Sequence, residues 1–469
     1  MEYKKNQTVE VKIEDMSENG EGIGKIDGYT LFIKDALQGD VVRAVITKVK
    51  KNYGFARVNE IIRPSDDRIT APCKNHKQCG GCQIQALSYE AQLSYKNRKV
   101  FNDLVRIGGF DQEELRNIAE DIIGMDDPFR YRNKTNFPIG RDKNGNIISG
   151  FYAKRTHDII KTEDCLIGIE ENKIIIDIVL KHMEKYGIEP YDEKTGKGKI
   201  RHVFIRKGFE TGEISVCIVI KNDEIKSKIN RKKYDFLFFE GEKELANQLG
   251  KITYVRNVII NINNRNTNVI LGDEFHVMWG EPVIHDVLLG MKYEISPGAF
   301  YQVNPSQTEK LYGTVLEYAD LKGNEEVWDI CCGIGTIALS LSGSAGKVHG
   351  IEIVEDAVKD AERNAFINNV DNAEFICGAA EEYLPYNKES IKADLIIMDP
   401  PRKGMATEAL DAVLFVSPPK IIYVSCDPAT LARDLKYLCS NGYRLIRFRP
   451  VDMFPHTVHV ETVCLLERK

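Results

Sequence analysis

The chain has 469 residues and a formal net charge of −6, with 64 Lys and Arg residues against 70 Asp and Glu residues. Hydrophobic residues make up 43% and charged residues 29%, which excludes a mostly disordered or fibrous chain. No apolar run approaches the roughly 18–20 residues of a membrane helix, and no apolar stretch follows the charged start. We therefore expect a soluble cytoplasmic protein without a membrane partner, of about three domains at ~150 residues each. Net acidity argues against nucleic-acid binding unless positive charge is concentrated locally.

The first predicted domain covers residues 1–63 and consists of short strands separated by glycines. Val9, Val11 and Ile13 point to one side of the first strand while charged residues point to the other, the period-2 pattern of a half-buried strand. About five such strands in about sixty residues predict an OB-type β-barrel. Such a barrel either binds an oligonucleotide or serves only for packing.

Two further domains follow the barrel. Residues 64–290 contain a cysteine-rich segment, a predicted helix over 83–108 and then a strand-rich region. Beyond them, strands and helices alternate, which predicts a doubly wound, Rossmann-like α/β domain over residues 291–469. The fold class expected for the whole chain is therefore α/β, with an added β-barrel and a strand-rich centre.

A glycine-containing turn marks a ligand pocket in the third domain. A predicted strand ends at Cys331, and Gly333 and Gly335 follow before the next helix. Glycines let a backbone approach a ligand closely, and a helix N-terminus offers free N–H groups. The following strand ends at Glu352, nineteen residues after Gly333, where a carboxylate would accept hydrogen bonds from ribose hydroxyls. The same pattern fits a nicotinamide-dependent oxidoreductase, and it also fits a purely structural turn.

Later strand ends carry three distinctive segments. They are Asp399-Pro400-Pro401-Arg402-x-Gly404, Tyr423-x-Ser425-Cys426, and Asp452-x-x-Pro455-x-Thr457-x-His459-Val460-Glu461. In a strand, Thr457, His459 and Glu461 would share one face, with Glu461 either reactive or simply solvated. In this order and spacing, the segments resemble the RNA uracil-5-methyltransferases, which make 5-methyluridine in ribosomal and transfer RNA. The N-terminal barrel is similar to the TRAM module of the ribosomal-RNA branch, so the likeness covers nearly the whole chain.

The resemblance implies an S-adenosylmethionine-dependent enzyme acting on uridine C5, with 23S ribosomal RNA as substrate and transfer RNA as the alternative. Cys426 would be the nucleophile that adds to C6, because this addition makes C5 reactive toward the methyl group. Glu461 would be the base that removes the C5 proton, with His456 and His459 as nearby competitors. The implied cofactor contacts are Gln302, Cys331, Gly333, Glu352 and Asp399.

Two positions depart from the family pattern. Cys331 stands where the family usually has an aromatic residue, so an adenosine contact there is weakened or supplied elsewhere. Asp427 stands where the family usually has Asn. We expect its negative charge to raise the pKa of the Cys426 thiol unless a partner compensates it. The relatives also imply that the helix at 83–108 packs on the methyltransferase domain.

Eleven cysteines in a chain without a secretion signal point to reduced thiols, metal ligation or catalysis. Cys73, Cys79 and Cys82 lie within ten residues, on a turn containing two glycines. Four thiolates suit either structural zinc or an iron–sulfur cluster, and the spacing alone leaves both open. The resemblance implies a [4Fe–4S] cluster with Cys165 as the fourth ligand.

Positive charge is concentrated in residues 128–161, where eight Lys and Arg minus two Asp gives +6. The cations are Arg130, Arg132, Lys134, Arg141, Lys143, Lys154, Arg155 and Lys161. Aromatic residues are interleaved with them, namely Phe129, Tyr131, Phe137, Phe151 and Tyr152. Cations attract phosphates and aromatic faces stack unpaired bases, so the stretch predicts an RNA surface. A solvated strand face with core aromatics is the alternative.

These features predict a monomer that binds RNA and not DNA, and that flips its target uridine out of the base stack. Two functions of other classes compete with this prediction. A nicotinamide-dependent oxidoreductase would explain the glycine turn but would leave Cys426 and Glu461 unused. A non-catalytic iron–sulfur RNA-binding protein would keep the cysteine cluster and the basic stretch.

Overall fold

A computed structural model describes residues 3–154, 156–222, 238–387 and 391–469. Its strands form a closed five-stranded barrel, two seven-stranded sheets and a two-stranded hairpin. None of the described helices is long and apolar enough to cross a membrane.

The barrel forms because alternate residues of its strands are apolar and point inward. Val11 and Ile13 are buried while Glu10 and Lys12 are exposed, so the predicted alternation is confirmed. The strands close in the order β1-β2-β3-β5-β4. Their bounds are β1 (Thr8–Met16), β2 (Gly22–Ile26), β3 (Tyr29–Lys34), β4 (Val41–Val49) and β5 (Tyr53–Arg63).

A helical segment then connects the barrel to the rest of the chain. Helix α1 (Tyr89–Asp103) continues into a π-helical turn at Leu104–Gly108, and α2 (Gln112–Ile118) follows. The helix starts later than the expected residue 83, because Ser88 caps it by accepting a hydrogen bond from the Ala91 N–H at 3.3 Å. Val100 and Leu104 are buried in the core of the C-terminal sheet, so α1 packs on that sheet.

The central sheet has the order β12-β11-β10-β9-β6-β7-β8, and only its β10–β11 pair is parallel among the described strands. Its strands are β6 (Lys134–Arg141), β7 (Ile147–Tyr152), β8 (Ile159–Lys161), β9 (Ile200–Lys207), β10 (Ile214–Ile220), β11 (Val255–Ile262) and β12 (Glu274–Gly280). Helices α3 (Glu171–Tyr186) and α4 (Glu242–Leu249) share one apolar cluster with this sheet.

A hairpin of β13 (Ile284–Leu288) and β14 (Met291–Ile295) follows the central sheet. The expected domain boundary between residues 290 and 291 cuts this hairpin. Ile284, Leu288 and Tyr293 are buried in a cluster that also contains residues of the C-terminal sheet. The hairpin therefore packs with the C-terminal unit, although half of it lies before the expected boundary.

The C-terminal sheet has the order β17-β16-β15-β18-β19-β21-β20. Strands β15 to β19 are parallel, and β21 and β20 are added antiparallel. This order is that of a doubly wound sheet, so the predicted Rossmann-like fold is confirmed. The strands are β15 (Glu326–Ile330), β16 (Lys347–Glu352), β17 (Ala373–Cys377), β18 (Leu395–Met398), β19 (Lys420–Ser425), β20 (Tyr443–Val451) and β21 (Glu461–Arg468). The helices are α5 (Pro305–Ala319), α6 (Thr336–Ser342), α7 (Glu355–Ile367), α8 (Ala380–Tyr386), α9 (Thr407–Val416) and α10 (Pro428–Ser440).

We predict that Ile284→Ala destabilises the C-terminal unit, because it removes a side chain that is only 1% exposed from that core. Large-to-small core substitutions of this kind cost about 2–5 kcal/mol of unfolding free energy. Denaturant unfolding followed by the fluorescence of Trp328, in a Trp279→Phe background, measures the loss. Ile174→Ala is the matched control, since Ile174 is 50% exposed. Equal effects of the two substitutions would contradict the assignment of the hairpin.

Candidate active site

A cavity of about 550 Å³ opens at the carboxyl edge of the C-terminal sheet. Parallel α/β sheets bind ligands at this edge, where the strand order reverses. The proposed nucleophile, the proposed base and all five proposed cofactor contacts line this cavity. They are Gln302, Cys331, Gly333, Glu352, Asp399, Cys426 and Glu461.

The antiparallel pairing of β21 with β19 brings Cys426 and Glu461 to the same place. Ser425 at the end of β19 is paired with Thr462 near the start of β21. Cys426 directly follows β19 and Glu461 is the first residue of β21, and both line the cavity. Glu461 is 4% exposed, so the alternative of a simply solvated carboxylate is wrong.

The expectation that Thr457 and His459 share a strand face with Glu461 is wrong, because residues 452–460 form a loop and β21 begins at Glu461. Neither His456 nor His459 is part of the described cavity lining. Burial is the main cause that lowers the pKa of each imidazole to about 4. His456 instead packs its ring on Phe129, at a centroid distance of 4.6 Å.

The glycine turn and Glu352 form the other end of the cavity. The Gly333 N–H donates to one carboxylate oxygen of Glu352 at 3.1 Å, and the Val354 N–H donates to the other at 2.9 Å. Gly333 has a φ of +56°, a backbone conformation that residues other than glycine rarely adopt. These two hydrogen bonds fix the Glu352 carboxylate at the cavity wall. That position is compatible with the expected hydrogen bonds to ribose hydroxyls.

Gln302 enters the cavity from the segment before α5. Its backbone carbonyl accepts a hydrogen bond from the Asn133 side chain at 2.9 Å. The buried Arg206 guanidinium donates to the carbonyls of Ser296 at 3.1 Å and Ala299 at 2.7 Å. The central sheet therefore fixes the segment that carries Gln302.

Burial dominates the electrostatics of the cavity. It raises the pKa of Asp399 to about 7, and it raises the pKa of Glu461 well above the usual range, with the charge of Asp399 adding to the effect. Burial followed by the charges of Glu461 and Asp399 raises the pKa of Cys426 to about 12, while Arg402 opposes this shift. Burial and neighbouring negative charge therefore both favour the protonated forms of the Cys426 thiol and the Glu461 carboxyl.

Asp427 is expected to raise the pKa of the thiol only if no partner compensates its charge, and the structure supplies such a partner. The Asp427 carboxylate caps α10 by accepting hydrogen bonds from the N–H groups of Ala429 at 3.1 Å and Thr430 at 3.0 Å. A helix N-terminus carries partial positive charge, which compensates a carboxylate at this position. The carboxylates that raise the pKa of Cys426 most are Glu461 and Asp399.

Several cavity residues were not singled out as site residues from the sequence. They include Arg132, Lys134, Phe300, Tyr312 and Phe454. Burial lowers the pKa of Lys134 to about 7, and its Nζ lies 5.8 Å from the centroid of the Phe300 ring. Phe300 is 63% exposed, unusual for a large apolar side chain. Phe300 and Gln302 lie in the irregular segment between β14 and α5, where no strand or helix periodicity relates their side chains.

The predicted RNA surface at 128–161 is only partly available. Tyr131 and Phe137 are 2% and 3% exposed, so the expectation that they stack bases is wrong. Two of the cations are neutralised by ion pairs, Arg130 with Asp164 and Arg141 with Glu189. Arg155 lies outside the described residues. The cations that remain exposed or line the cavity are Arg132, Lys134, Lys143 and Lys161.

The four cysteines predicted to hold a cluster are close enough to influence one another. The charges of the other cysteines contribute, after burial, to the raised pKa of Cys82 and of Cys165. The Gly81 N–H donates to the Cys79 sulfur at 3.3 Å, and N–H groups of Ile167 and Gly168 bond to Cys165. Such N–H donors suit thiolates bound to a cluster. Among the described residues, however, no group of three or more His, Cys, Asp or Glu side chains is arranged to hold a metal ion.

We predict that alkylation of Cys426 by iodoacetamide in the free protein accelerates about tenfold per pH unit from pH 7 to 9. Only the thiolate reacts, and a pKa raised to about 12 keeps its fraction rising throughout this range. Peptide mass spectrometry separates Cys426 from the other cysteines. Asp427→Asn should leave the profile unchanged. A plateau by pH 8, or faster alkylation of the Asp427→Asn variant, would contradict this electrostatic account.

Comparison with known proteins agrees with the geometry. The family model described as tRNA (uracil-5-)-methyltransferase matches residues 215–469, and the TRAM domain model matches residues 3–58. An RNA methyltransferase of Clostridium tetani is 45% identical over 465 residues, which cover 99% of this chain and 97% of the relative. One of Halalkalibacterium halodurans is 45% identical over 467 residues, covering 99% and 98%.

A solved structure extends the similarity to the fold. The tRNA (uracil-54, C5)-methyltransferase of Pyrococcus abyssi, in complex with S-adenosyl-L-homocysteine, has a TM-score of 0.75 and 27% identity. The match covers 97% of this chain and 99% of that chain. The chain therefore belongs to the tRNA (uracil-5-)-methyltransferase family and carries an N-terminal TRAM domain.

Proposed function

We propose that this protein transfers a methyl group from S-adenosylmethionine to C5 of a uridine in RNA, through a covalent bond between Cys426 and C6. The observation that carries the proposal is the convergence of Cys426, Glu461 and the cofactor-side residues on one cavity. Membership of an RNA methyltransferase family supports it, as does the S-adenosyl-L-homocysteine bound to the Pyrococcus abyssi enzyme. The family assignment gives no support to the nicotinamide-dependent alternative.

The covalent step is needed because C5 of uracil is a poor nucleophile. The thiolate of Cys426 bonds to C6, and the C5–C6 π electrons move toward C5 and O4 as an enolate. S-adenosylmethionine supplies the methyl group for C5 and leaves as S-adenosylhomocysteine. The carboxylate of Glu461 then takes the C5 proton, the C5–C6 double bond forms again, and the thiolate leaves C6.

The surroundings of Glu461 suit a base. Its carboxyl is buried beside Asp399, and both the burial and this neighbouring charge raise its pKa. A carboxylate with a raised pKa removes a proton from carbon more readily once it is ionised. We assign Asp399 a position between cofactor and target base, Glu352 to the ribose, and Gln302 to the same pocket.

We propose 23S ribosomal RNA as the substrate, with transfer RNA as the second candidate. The TRAM barrel and the cysteine segment favour ribosomal RNA by resemblance, whereas the Pyrococcus abyssi enzyme is named for a transfer RNA. We further propose that the barrel at 1–63 and the central region at 64–290 contact RNA while residues 291–469 perform the reaction as part of a monomer. We propose that the exposed Phe300 ring, which lines the cavity beside Lys134, stacks on an unstacked base.

We predict that Glu461→Gln traps the covalent protein–RNA adduct. Glutamine keeps the size and hydrogen-bonding capacity of the side chain but does not accept the C5 proton, so methyl transfer proceeds and elimination stalls. Denaturing gel electrophoresis with labelled RNA and S-adenosylmethionine reveals the adduct as a shifted band. The variant Cys426→Ala/Glu461→Gln should give no band. Absence of a band with RNA that the wild-type protein methylates would contradict the role of Glu461.

We also propose that Cys73, Cys79, Cys82 and Cys165 hold a [4Fe–4S] cluster that orders the central region. The proposal rests on the resemblance and on the N–H donors that bond to Cys79 and Cys165. Nothing in methyl transfer requires an electron, so the cluster's role would be structural.

Iron and sulfide analysis of anaerobically purified protein should give about four of each per chain. Cys165→Ala should lower both, whereas Cys377→Ala should lower neither, because Cys377 is an exposed cysteine outside the proposed ligand set. Stoichiometric zinc without iron would overturn the choice of cluster.

A further inference from the structure

The loop at residues 452–460 joins β20 to β21 and leads directly into Glu461. We call it the β20–β21 loop. Its residue Phe454 lines the cavity, so the loop forms part of the wall beside the proposed base. Most of this loop is buried, yet its backbone has no regular ladder of its own. Buried carbonyl groups need hydrogen-bond donors, and here the donors come from distant parts of the chain.

Helix α1 supplies the most deeply buried of these donors. Lys96 and Asp452 are both 0% exposed, and the Lys96 ammonium donates to Asp452 Oδ1 at 2.5 Å. The same ammonium donates to the Phe454 carbonyl at 2.9 Å. The Tyr89 hydroxyl donates to Asp452 Oδ2 at 3.0 Å and accepts from the Met125 N–H at 2.8 Å. Two of the first three residues of the loop, Asp452 and Phe454, are thus bonded to α1.

Further hydrogen bonds hold Pro455 and His456, the next two residues of the loop. The Tyr131 hydroxyl donates to the Pro455 carbonyl at 3.1 Å, and the His456 N–H donates to Gln92 Oε1 at 2.9 Å. The His456 carbonyl accepts from two consecutive backbone N–H groups, those of residues 83 and 84, at 3.0 and 3.1 Å. These partners lie before the catalytic sheet in sequence and carry no reacting group. Asn304 and Gln307 of the C-terminal unit also donate to the loop, to the carbonyls of Met453 at 3.0 Å and Asp452 at 3.1 Å.

We propose that Lys96 and Tyr89 are positioning residues for proton removal, acting through Asp452 on the loop that places Glu461. Neither side chain is part of the described cavity lining, so any effect on the reaction passes through the loop. A buried ion pair contributes little net stability, because desolvation offsets most of its attraction. What it does provide is one fixed geometry, and a displacement of about 1 Å at a reacting group can cost about 100-fold in rate.

The inference rests on the proposed function, because it concerns elimination from the covalent adduct. In that step the Glu461 carboxylate takes the C5 proton, and the C5–H electron pair forms the C5–C6 double bond. The C6–S bond breaks, and its electron pair leaves with Cys426 as thiolate. Cys426 follows β19 and does not belong to the loop, so a loosened loop should slow this step more than it slows addition and methyl transfer.

The test compares Tyr89→Phe and the double variant Lys96→Met/Asp452→Asn with wild type. The double variant removes both charges together, which avoids leaving one buried without its partner. Tyr443→Phe is the matched control, because the buried Tyr443 hydroxyl bonds to the Pro418 carbonyl at 2.7 Å, far from the loop. Reactions with RNA and S-adenosylmethionine are quenched in denaturant to measure the fraction of protein held as adduct, and kcat and KM for RNA are measured in parallel.

We expect kcat to fall about tenfold or more in the double variant and less in Tyr89→Phe, with KM nearly unchanged and the adduct fraction raised in both. The control should match wild type in all three quantities. A lower kcat without more adduct, or a change in KM alone, would overturn the proposal. If the double variant unfolds, Tyr89→Phe decides. Glu461→Gln is run alongside: if it too gives no adduct, the proposed role of Glu461 fails, whereas an adduct with Glu461→Gln alone refutes only the positioning role.

Discussion

The hydrogen-bonded ladder between β19 and β21 is the interaction on which the proposed site depends. Cys426 and Glu461 are 35 residues apart in sequence, and they meet because Ser425 pairs with Thr462. A parallel strand would bring its carboxyl end to this edge of the sheet. Because β21 runs antiparallel, its first residue lies there instead. The direction of one strand therefore decides whether thiol and carboxylate share a cavity.

That arrangement places several buried acidic groups close together. Asp329, Asp399 and Glu461 all have pKa values raised by burial, and the Cys426 thiol is held protonated beside them. Like charges this close disfavour one another's ionisation. A cationic sulfonium compound would relieve this crowding, which fits the proposal that the cavity accepts S-adenosylmethionine. The charge of bound S-adenosylmethionine and the protein would then together determine the protonation states of these carboxyls and of the Cys426 thiol.

Much of the fold and the location of the site could be predicted from the sequence, because strand ends and glycine turns have local signatures. The barrel, the parallel sheet and the turn before Gly333 followed from alternation and spacing. The partner that compensates the charge of Asp427 could not be identified from the sequence. Sequence position alone does not show whether a carboxylate faces the thiol or the N-terminus of the following helix. The position of Asp427 directly before Pro428, at the start of a helix, was the available clue.

The available RNA surface is smaller than the sequence predicts for a similar reason. The prediction rests on the charge and aromatic content of a whole stretch, whereas strand β6 buries alternate residues, among them Phe137. Ion pairs with Asp164 and Glu189 join residues distant in sequence, and composition does not reveal them. The ties between α1 and the β20–β21 loop are equally nonlocal. The sequence around Lys96 predicts an exposed residue on a helix surface, whereas the structure buries Lys96 against Asp452.

The most direct test is to measure 5-methyluridine in 23S ribosomal RNA and transfer RNA from a strain lacking this gene, complemented with the wild-type or the Cys426→Ala protein. The account predicts that a 5-methyluridine in 23S ribosomal RNA disappears on deletion, returns with the wild-type protein, and stays absent with Cys426→Ala. Loss confined to transfer RNA would contradict the proposed substrate. Restoration by Cys426→Ala would contradict the proposed chemistry itself.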